Sequence, residues 1–357
     1  MQNILSQFRL EGAPVSCARY GNGHINETYK VETDAPHAYI LQKINRRVFP
    51  NVPGLMRNIS AVTAYLRRRV DDPRRVLTLI PTVGGESYYV SPEGDCWRMY
   101  EFITDSLCLD QPESMEDLKQ SGVAFGEFQN QLADYPADTL IEVIPRFHDT
   151  PDRYRQLKEA IARDSAGRLA SCRAEIDFYL AHEGEAGFLT NLLKTGKLPL
   201  RVTHNDTKLN NVMLDRATRA PLCVIDLDTI MPGLAAHDFG DSIRFGASTA
   251  AEDEKDLSRV EMSLSLFEAY AEGFLSACGS RLTPLEKETL PMGAKLMTLE
   301  CGSRFLADYL NGDVYFHVSR PEHNLDRART QMKLVQDMEK KWDAMRTVIA
   351  NKITAII

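Results

Sequence analysis

Up to about residue 103 the apolar residues fall in short runs broken by turn signals, and beyond residue 115 they recur at helical spacing over long stretches. That change of period restricts the chain to a small β-rich unit followed by a larger helical one. Strands are predicted at 15–20, 28–32, 38–44, 75–81, 88–90 and 96–103, with one helix at 54–69 that puts Leu55, Ile59, Val62, Tyr65 and Leu66 on a single face. Helices are then predicted at 118–132, 152–168, 172–182, 257–277, 284–309 and 325–353, interrupted only by short strands at 211–214 and 222–226. At 357 residues the chain exceeds what one core usually spans. Two lobes are expected: residues 1–103, ending in a hinge at 100–103, and residues 104–357, which carry the loop at 202–228.

Composition narrows the function. A formal charge of −8 argues against general nucleic-acid binding, which needs basic patches to displace counterions. Seven scattered cysteines without a Cys-x-x-Cys pair fit reduced thiols in a cytoplasm better than a disulfide frame or a zinc site. The opening residues MQNILSQFRL do not read as a signal peptide, and no apolar run reaches the roughly 20 residues of a membrane helix.

The chemistry concentrates in VTHNDTKLNNVMLDRATRAPLCVIDLD, residues 202–228. Asp206, Asn211 and Asp226 place two carboxylates and an amide on one loop and hairpin. That set suits the alignment of a hydroxyl with a metal-bound nucleoside triphosphate: Asp206 accepts the hydroxyl proton, while Asn211 and Asp226 offer hard oxygens to Mg²⁺. Lys208 can reach the transferring phosphate and offset its charge. A single Asp in a loop is usually a turn or cap residue; the combination is what carries weight. His237-Asp238-Phe239-Gly240 spells the Asp-Phe-Gly of protein kinases, but it follows a Pro-Gly loop where a buried strand is needed. Asp226 has the better position for the metal, and Asp238, Asp241 and Arg244 are expected to brace the catalytic loop.

HNDTKLNNVMLD together with VIDLDTIMPG resembles the aminoglycoside phosphotransferase and choline kinase group. The resemblance implies an α+β, bilobal protein-kinase-like fold with a small β-rich N-lobe and a larger helical C-lobe, and ATP and Mg²⁺ as cofactors. It places the catalytic carboxylate at Asp206 and the metal ligands at Asn211 and Asp226. In such kinases a lysine on the third strand holds the phosphates and pairs with a glutamate of the next helix. Here the strand reads YILQKIN, so the position falls on Gln42 or Lys43, and the helix contains no acid. Gly21 and Gly23 are expected to lay backbone N–H groups over the phosphates, and the backbone of Glu101 and Ile103 to meet the adenine.

Further stretches are similar to the N-acetylhexosamine 1-kinase branch: GHINETY, YILQKIN, IPRFHDT, HDFGDSIRFGAST and RFLADYLNGDVYF. This similarity implies a sugar acceptor phosphorylated at its anomeric hydroxyl, with His24, Asp206, Arg304 and Tyr315 as acceptor contacts. Kinases of an amino alcohol, homoserine or an aminoglycoside share the catalytic motif and are the alternative. Two rivals stand further off. His204, Asp206 and a distant His237 or His317 would make a two-histidine, one-carboxylate iron site, and a pseudokinase module would bind nucleotide without turnover.

Overall fold

A computed structural model describes residues 1–21 and 25–356. In chain order its strands are β1 (Pro14–Arg19), β2 (Glu27–Thr33), β3 (Ala38–Lys43), β4 (Tyr89–Val90), β5 (Cys96–Glu101), β6 (Ser106–Leu107), β7 (Arg201–Thr203), β8 (Val212–Asp215), β9 (Pro221–Val224) and β10 (Met231–Gly233). The helices begin with α1 (Gln2–Leu5), α2 (Val52–Arg67), α3 (Met115–Gln131), α4 (Thr150–Arg163), α5 (Arg173–Ala181) and α6 (Phe188–Lys194). They continue with α7 (Ala235–Gly246), α8 (Leu264–Cys278), α9 (Pro284–Glu288), α10 (Leu290–Asn311), α11 (His323–Lys340) and α12 (Trp342–Ile356).

Contacts divide the described chain into two compact units, the first holding residues 1–107, 138–145 and 213–231. Its centre is an antiparallel five-stranded sheet in the order β1-β2-β3-β5-β4. One face is apolar: Val31, Tyr39, Leu41, Trp97 and Met99 pack with Leu5 and Phe8. Helix α2 begins two residues before the predicted start, because Asn51 caps it through Gly54 N–H (3.0 Å) and Pro53 sits in its first turn. Asn58 ties α2 down by donating to the carbonyls of Ile141 (2.8 Å) and Ile230 (3.0 Å). The predicted strand at 75–81 is replaced by a 3-10 turn at Pro73–Arg75 and one isolated bridge, Leu79 to Tyr100. Strands β6, β8 and β9 form a separate three-stranded sheet.

The second unit holds residues 108–137, 146–212 and 232–357. Several predicted helices are shorter than expected or split. Helix α4 stops at Arg163, where Asp164 turns left-handed (φ +39°). Helix α8 starts only at Leu264, capped by Ser263. The stretch 284–309 is two helices, since Pro291 lacks the N–H that would continue α9. The long C-terminal helix likewise breaks at Lys341.

Helix α7 was not expected at all, and it carries the HDFG stretch. It packs on α10 so closely that a Cβ on Gly240 would lie 2.3 Å from the Gly293 carbonyl oxygen, and one on Gly293 2.1 Å from the Ala236 carbonyl oxygen. Backbone atoms cannot yield as a side chain can. Gly240→Ala should therefore lower stability by about 1–3 kcal/mol, the usual cost of overpacking. Thermal unfolding checks this, and an unchanged Tm would show that the two helices can separate without loss.

Candidate functional site

Strand β7 delivers the chain into the loop that bears Asp206. His204 is fully buried, with its ring edge-on to Phe125 (5.4 Å) and Phe128 (6.0 Å), and its Nδ1 accepts the Asp206 N–H (3.3 Å). Asn205 is left-handed (φ +65°), a conformation that an L residue keeps only when its surroundings enforce it. Helix α7 supplies that enforcement. Asp238 accepts the N–H groups of His204 (2.9 Å) and Asn205 (2.8 Å), and Asp241 accepts that of Thr207 (3.1 Å). Thr207 Oγ1 donates to the Asp238 carbonyl (2.6 Å), and Ser242 Oγ to that of Thr207 (2.8 Å). Arg244 in turn holds Asp241 through Nε (3.0 Å). The HDFG stretch thus braces the loop, as its position in the sequence suggested.

Asp206, Lys208 and Asn211 come together. Lys208 Nζ lies 3.0 Å from Asp206 Oδ1, and Asn211 Nδ2 donates to the Asp206 carbonyl (2.8 Å) and Oδ2 (3.2 Å). Burial opposes the charge of Asp206, but Lys208, with His204 and Arg244 behind it, more than offsets this and lowers its pKa. The Lys208 ammonium is held above its ordinary value, chiefly by Asp206. The carboxylate is therefore ionised throughout the neutral range. A depressed folded value means that both its charge and its contribution to stability are present above the unfolded pKa and are lost only as pH falls through the folded one. The acid limb of kcat/KM that belongs to Asp206 should lie below 3.8, its ordinary value. A pH–rate profile checks this; an acid limb near neutrality that moved with Asp206 substitution would contradict it.

A magnesium ion needs hard oxygens and few protein ligands. Because Asn211 turns its amide nitrogen toward Asp206, its oxygen remains for a cation, and Asp226 offers a carboxylate. Each of the two residues carries a hard oxygen of the kind Mg²⁺ takes. Asp226 is left-handed (φ +58°) and opens the 3-10 turn Leu227–Thr229. It belongs to the first unit, and Asp206 and Asn211 to the second. The iron-site alternative finds no support: among the described residues, the three-ligand cluster present is His182, Glu185 and Glu339, without His204 or Asp206. Lys295 already neutralises that cluster through both carboxylates (2.7 and 2.9 Å).

Arg304 and Tyr315 lie together in the second unit. The Arg304 guanidinium stands 5.9 Å from the Tyr315 ring, 5.5 Å from Phe147 and 5.4 Å from Phe316. Tyr315 is 62% exposed on a turn that Asp308 holds by accepting three successive N–H groups, those of Val314, Tyr315 and Phe316 (2.9–3.0 Å). Sequence reading missed what joins this wall to the catalytic loop. His148 presents one ring nitrogen to Glu300 (2.8 Å) and the other to the Asn205 carbonyl (3.2 Å), and Thr150 donates to the second Glu300 oxygen (2.7 Å). Burial would raise the Glu300 pKa, but His148, Arg153 and Arg304 hold it down to about 2. His237 packs 5.3 Å from His148, and burial pushes its pKa down to about 3. His148 lies in the IPRFHDT stretch, which had no role assigned to its histidine.

In the first unit Gly21 is left-handed (φ +73°), with no atom within 4 Å of where a Cβ would stand. Gly23 and His24 lie outside the described residues. Gln42 and Lys43 face opposite sides of β3. Gln42 shares its face with Thr28 and Arg98, whereas Lys43 pairs with Asp95 (2.7 Å) beside Trp97. Expectation left the phosphate-facing position open between the two; Gln42 is on the face with Arg98, and Lys43 is on the other. In the stretch expected to be the hinge, Glu101 N–H donates to Thr78 O (2.9 Å) and the Ile103 carbonyl accepts from Ser106 Oγ (2.9 Å).

A sequence model of the phosphotransferase enzyme family matches residues 16–272. Among solved structures, a microcompartment-associated aminopropanol kinase is similar with a TM-score of 0.60 at 16% identity, over 96% of this chain and 97% of that one. An amicoumacin kinase in complex with AMP-PNP, Ca²⁺ and Ami gives 0.61 at 12% identity, over 92% and 91%. An aminoglycoside phosphotransferase from Alicyclobacillus acidocaldarius gives 0.60 at 12%, over 100% and 96%. At these identities the likeness is one of fold, and the expected α+β protein-kinase-like class is the one observed.

Proposed function

This chain belongs to the phosphotransferase enzyme family, and from that premise we propose that it transfers the γ-phosphoryl group of ATP to the anomeric hydroxyl of an N-acetylhexosamine. The sheet-bearing unit is taken as the nucleotide lobe and the helical unit as the acceptor lobe. The single observation that carries the catalytic part is the Asp206 carboxylate, gripped by Lys208 and Asn211 on a loop whose backbone is pinned to α7. Asp206 accepts the acceptor proton, and its low basicity suits an anomeric hydroxyl, which is more acidic than an alkyl alcohol. Lys208 is assigned to offset charge on the transferring group. Asn211 and Asp226 are the residues for Mg²⁺, which when bound neutralises charge on the β- and γ-phosphates.

The acceptor wall favours a neutral polyol. Its aromatic rings surround a cation, Arg304, with Arg153 nearby, and the buried acids there are already engaged, Glu300 with His148 and Asp308 with the N–H groups of the Tyr315 turn. A site for choline or an aminoglycoside would need the reverse arrangement, aromatic faces and free carboxylates around a cationic ligand. Tyr315 offers an exposed aromatic face for the C–H side of a sugar ring and Arg304 donors for its hydroxyls. The free thiols of all seven cysteines are in keeping with a cytoplasmic setting.

A panel of hexosamines, amino alcohols, homoserine and aminoglycosides, incubated with Mg-ATP and read by phosphorus NMR, tests this reading. A sugar 1-phosphate is expected. Turnover on amino alcohols or aminoglycosides alone would refute the acceptor assignment. Asp226→Ala should weaken Mg-nucleotide binding and rate together; calorimetry with and without Mg²⁺ separates the two effects.

A further inference from the structure

In this kinase reading the nucleotide phosphates need a cation from the sheet, and the expected one is not placed to serve. Lys43 lies on the face of β3 that packs against Trp97, and α2 carries no acid to orient a lysine. The opposite face has its own cation. Thr28, Gln42 and Arg98 are direct cross-strand partners on β2, β3 and β5, so their side chains leave the sheet on one side. Arg98 is only 1% exposed. Its Nε donates to Gln42 Oε1 (2.9 Å) and its Nη1 to Asp228 Oδ1, while Gln42 Nε2 is anchored on Thr28 Oγ1 (3.1 Å).

The network extends in two useful directions. Asp228 Oδ2 accepts from Asn26 Nδ2 (2.6 Å), and Asn26 Oδ1 accepts the Asn45 N–H (3.0 Å), so the residue just before β2 is tied to the same carboxylate. Asp228 also sits in the 3-10 turn that follows Asp226. Burial opposes the Arg98 charge, and Asp228, with Tyr100 and Asp226 behind it, outweighs it. Gln42 and Asp228 occupy two of the three guanidinium nitrogens, which leaves the N–H pair of Nη2 for another acceptor. The second cation on this face, Lys30, is bound to Glu32 (2.9 Å) and lies 4.7 Å over the Phe102 ring.

A buried ion pair is a poor stabilising device compared with well-packed apolar groups. A rigid guanidinium held by two partners is, however, a good phosphate donor. We propose that Arg98, oriented by Gln42 and Asp228, is the cation that holds the phosphates of the bound nucleotide, in place of a third-strand lysine and its helix glutamate. This rests on the kinase reading above. It makes Asp228 a positioning residue that aims Arg98.

The test compares binding of ATP and of adenosine by calorimetry. Arg98→Lys keeps the charge but loses the fork, and the double variant Arg98→Met/Asp228→Asn removes both charges, so that no buried ion is left unpaired. Near-UV circular dichroism establishes that each is folded. ATP affinity should fall at least tenfold in the double variant and by a smaller factor in Arg98→Lys, while adenosine affinity stays within twofold of the parent. Parallel loss of adenosine and ATP would make Arg98 a packing residue and overturn the proposal, as would unchanged ATP affinity. If the parent protein bound adenosine and ATP equally weakly, the kinase reading itself would fall, and the role of Arg98 with it.

Discussion

Asp206→Asn is expected to reduce kcat by about 10²- to 10⁴-fold, the range that a positioned general base supplies, with ATP affinity changed by no more than a few-fold. The substitution preserves shape and leaves one oxygen to accept from Asn211, whose amide lies 3.2 Å from Oδ2. It removes the proton acceptor and the partner of Lys208. Lys208 then becomes a cation without its main counter-charge, free to bind phosphate more tightly in the ground state. Nucleotide affinity should therefore hold or rise slightly while turnover collapses. A coupled assay for ADP release and calorimetry on the same preparation give both quantities. Near-parental turnover would remove Asp206 from the mechanism, and equal losses in rate and affinity would point to a damaged fold.

The second large effect is on stability and comes from a residue that needs no contact with substrate. Asp238 is fully buried, and three donors converge on it: the N–H groups of His204 and Asn205, and Gln129 Nε2 (2.7 Å). Burial pushes its pKa up against the pull of those donors. Asp238→Ala leaves all three without their acceptor at roughly 1–3 kcal/mol each, so a loss on the order of 3–6 kcal/mol is expected once partial relaxation is allowed. It also releases the left-handed Asn205, hence the aim of Asp206. Denaturant unfolding should show the loss of stability, and kcat should drop even under conditions where the variant remains folded. Asp238→Asn should recover part of the stability, since it retains one acceptor oxygen. A change below 1 kcal/mol in the alanine variant would mean that water replaces the carboxylate and that the brace is dispensable.

Where sequence reading failed, the cause is identifiable. Helix α7 escaped because it is only 12 residues long, and its polar residues Asp238, Asp241 and Arg244 are buried along with Ala236, Phe239 and Ile243, so burial there does not follow polarity. Its two glycines further weakened the pattern. The splits at Thr289 and Lys341 were invisible because the apolar period runs through both. Arg98 was passed over because it sits inside the apolar run CWRMYEFI, where an arginine reads as an outward-facing residue.

By itself the sequence determined the β-then-helix order, the loop from Asp206 to Asn211 and the absence of an acid in α2. All of these depend on residue type and spacing within one segment, where periodicity and local hydrogen bonding act. Only the tertiary structure decided that Gln42 and Arg98 share a sheet face while Lys43 is turned away, that Asp238 pins the loop, and that Glu300 reaches Asn205 through His148. Those pairings join residues tens to more than a hundred positions apart. Strand register and the close approach of α7 to α10 create them, and neither leaves a local mark in the order of the residues.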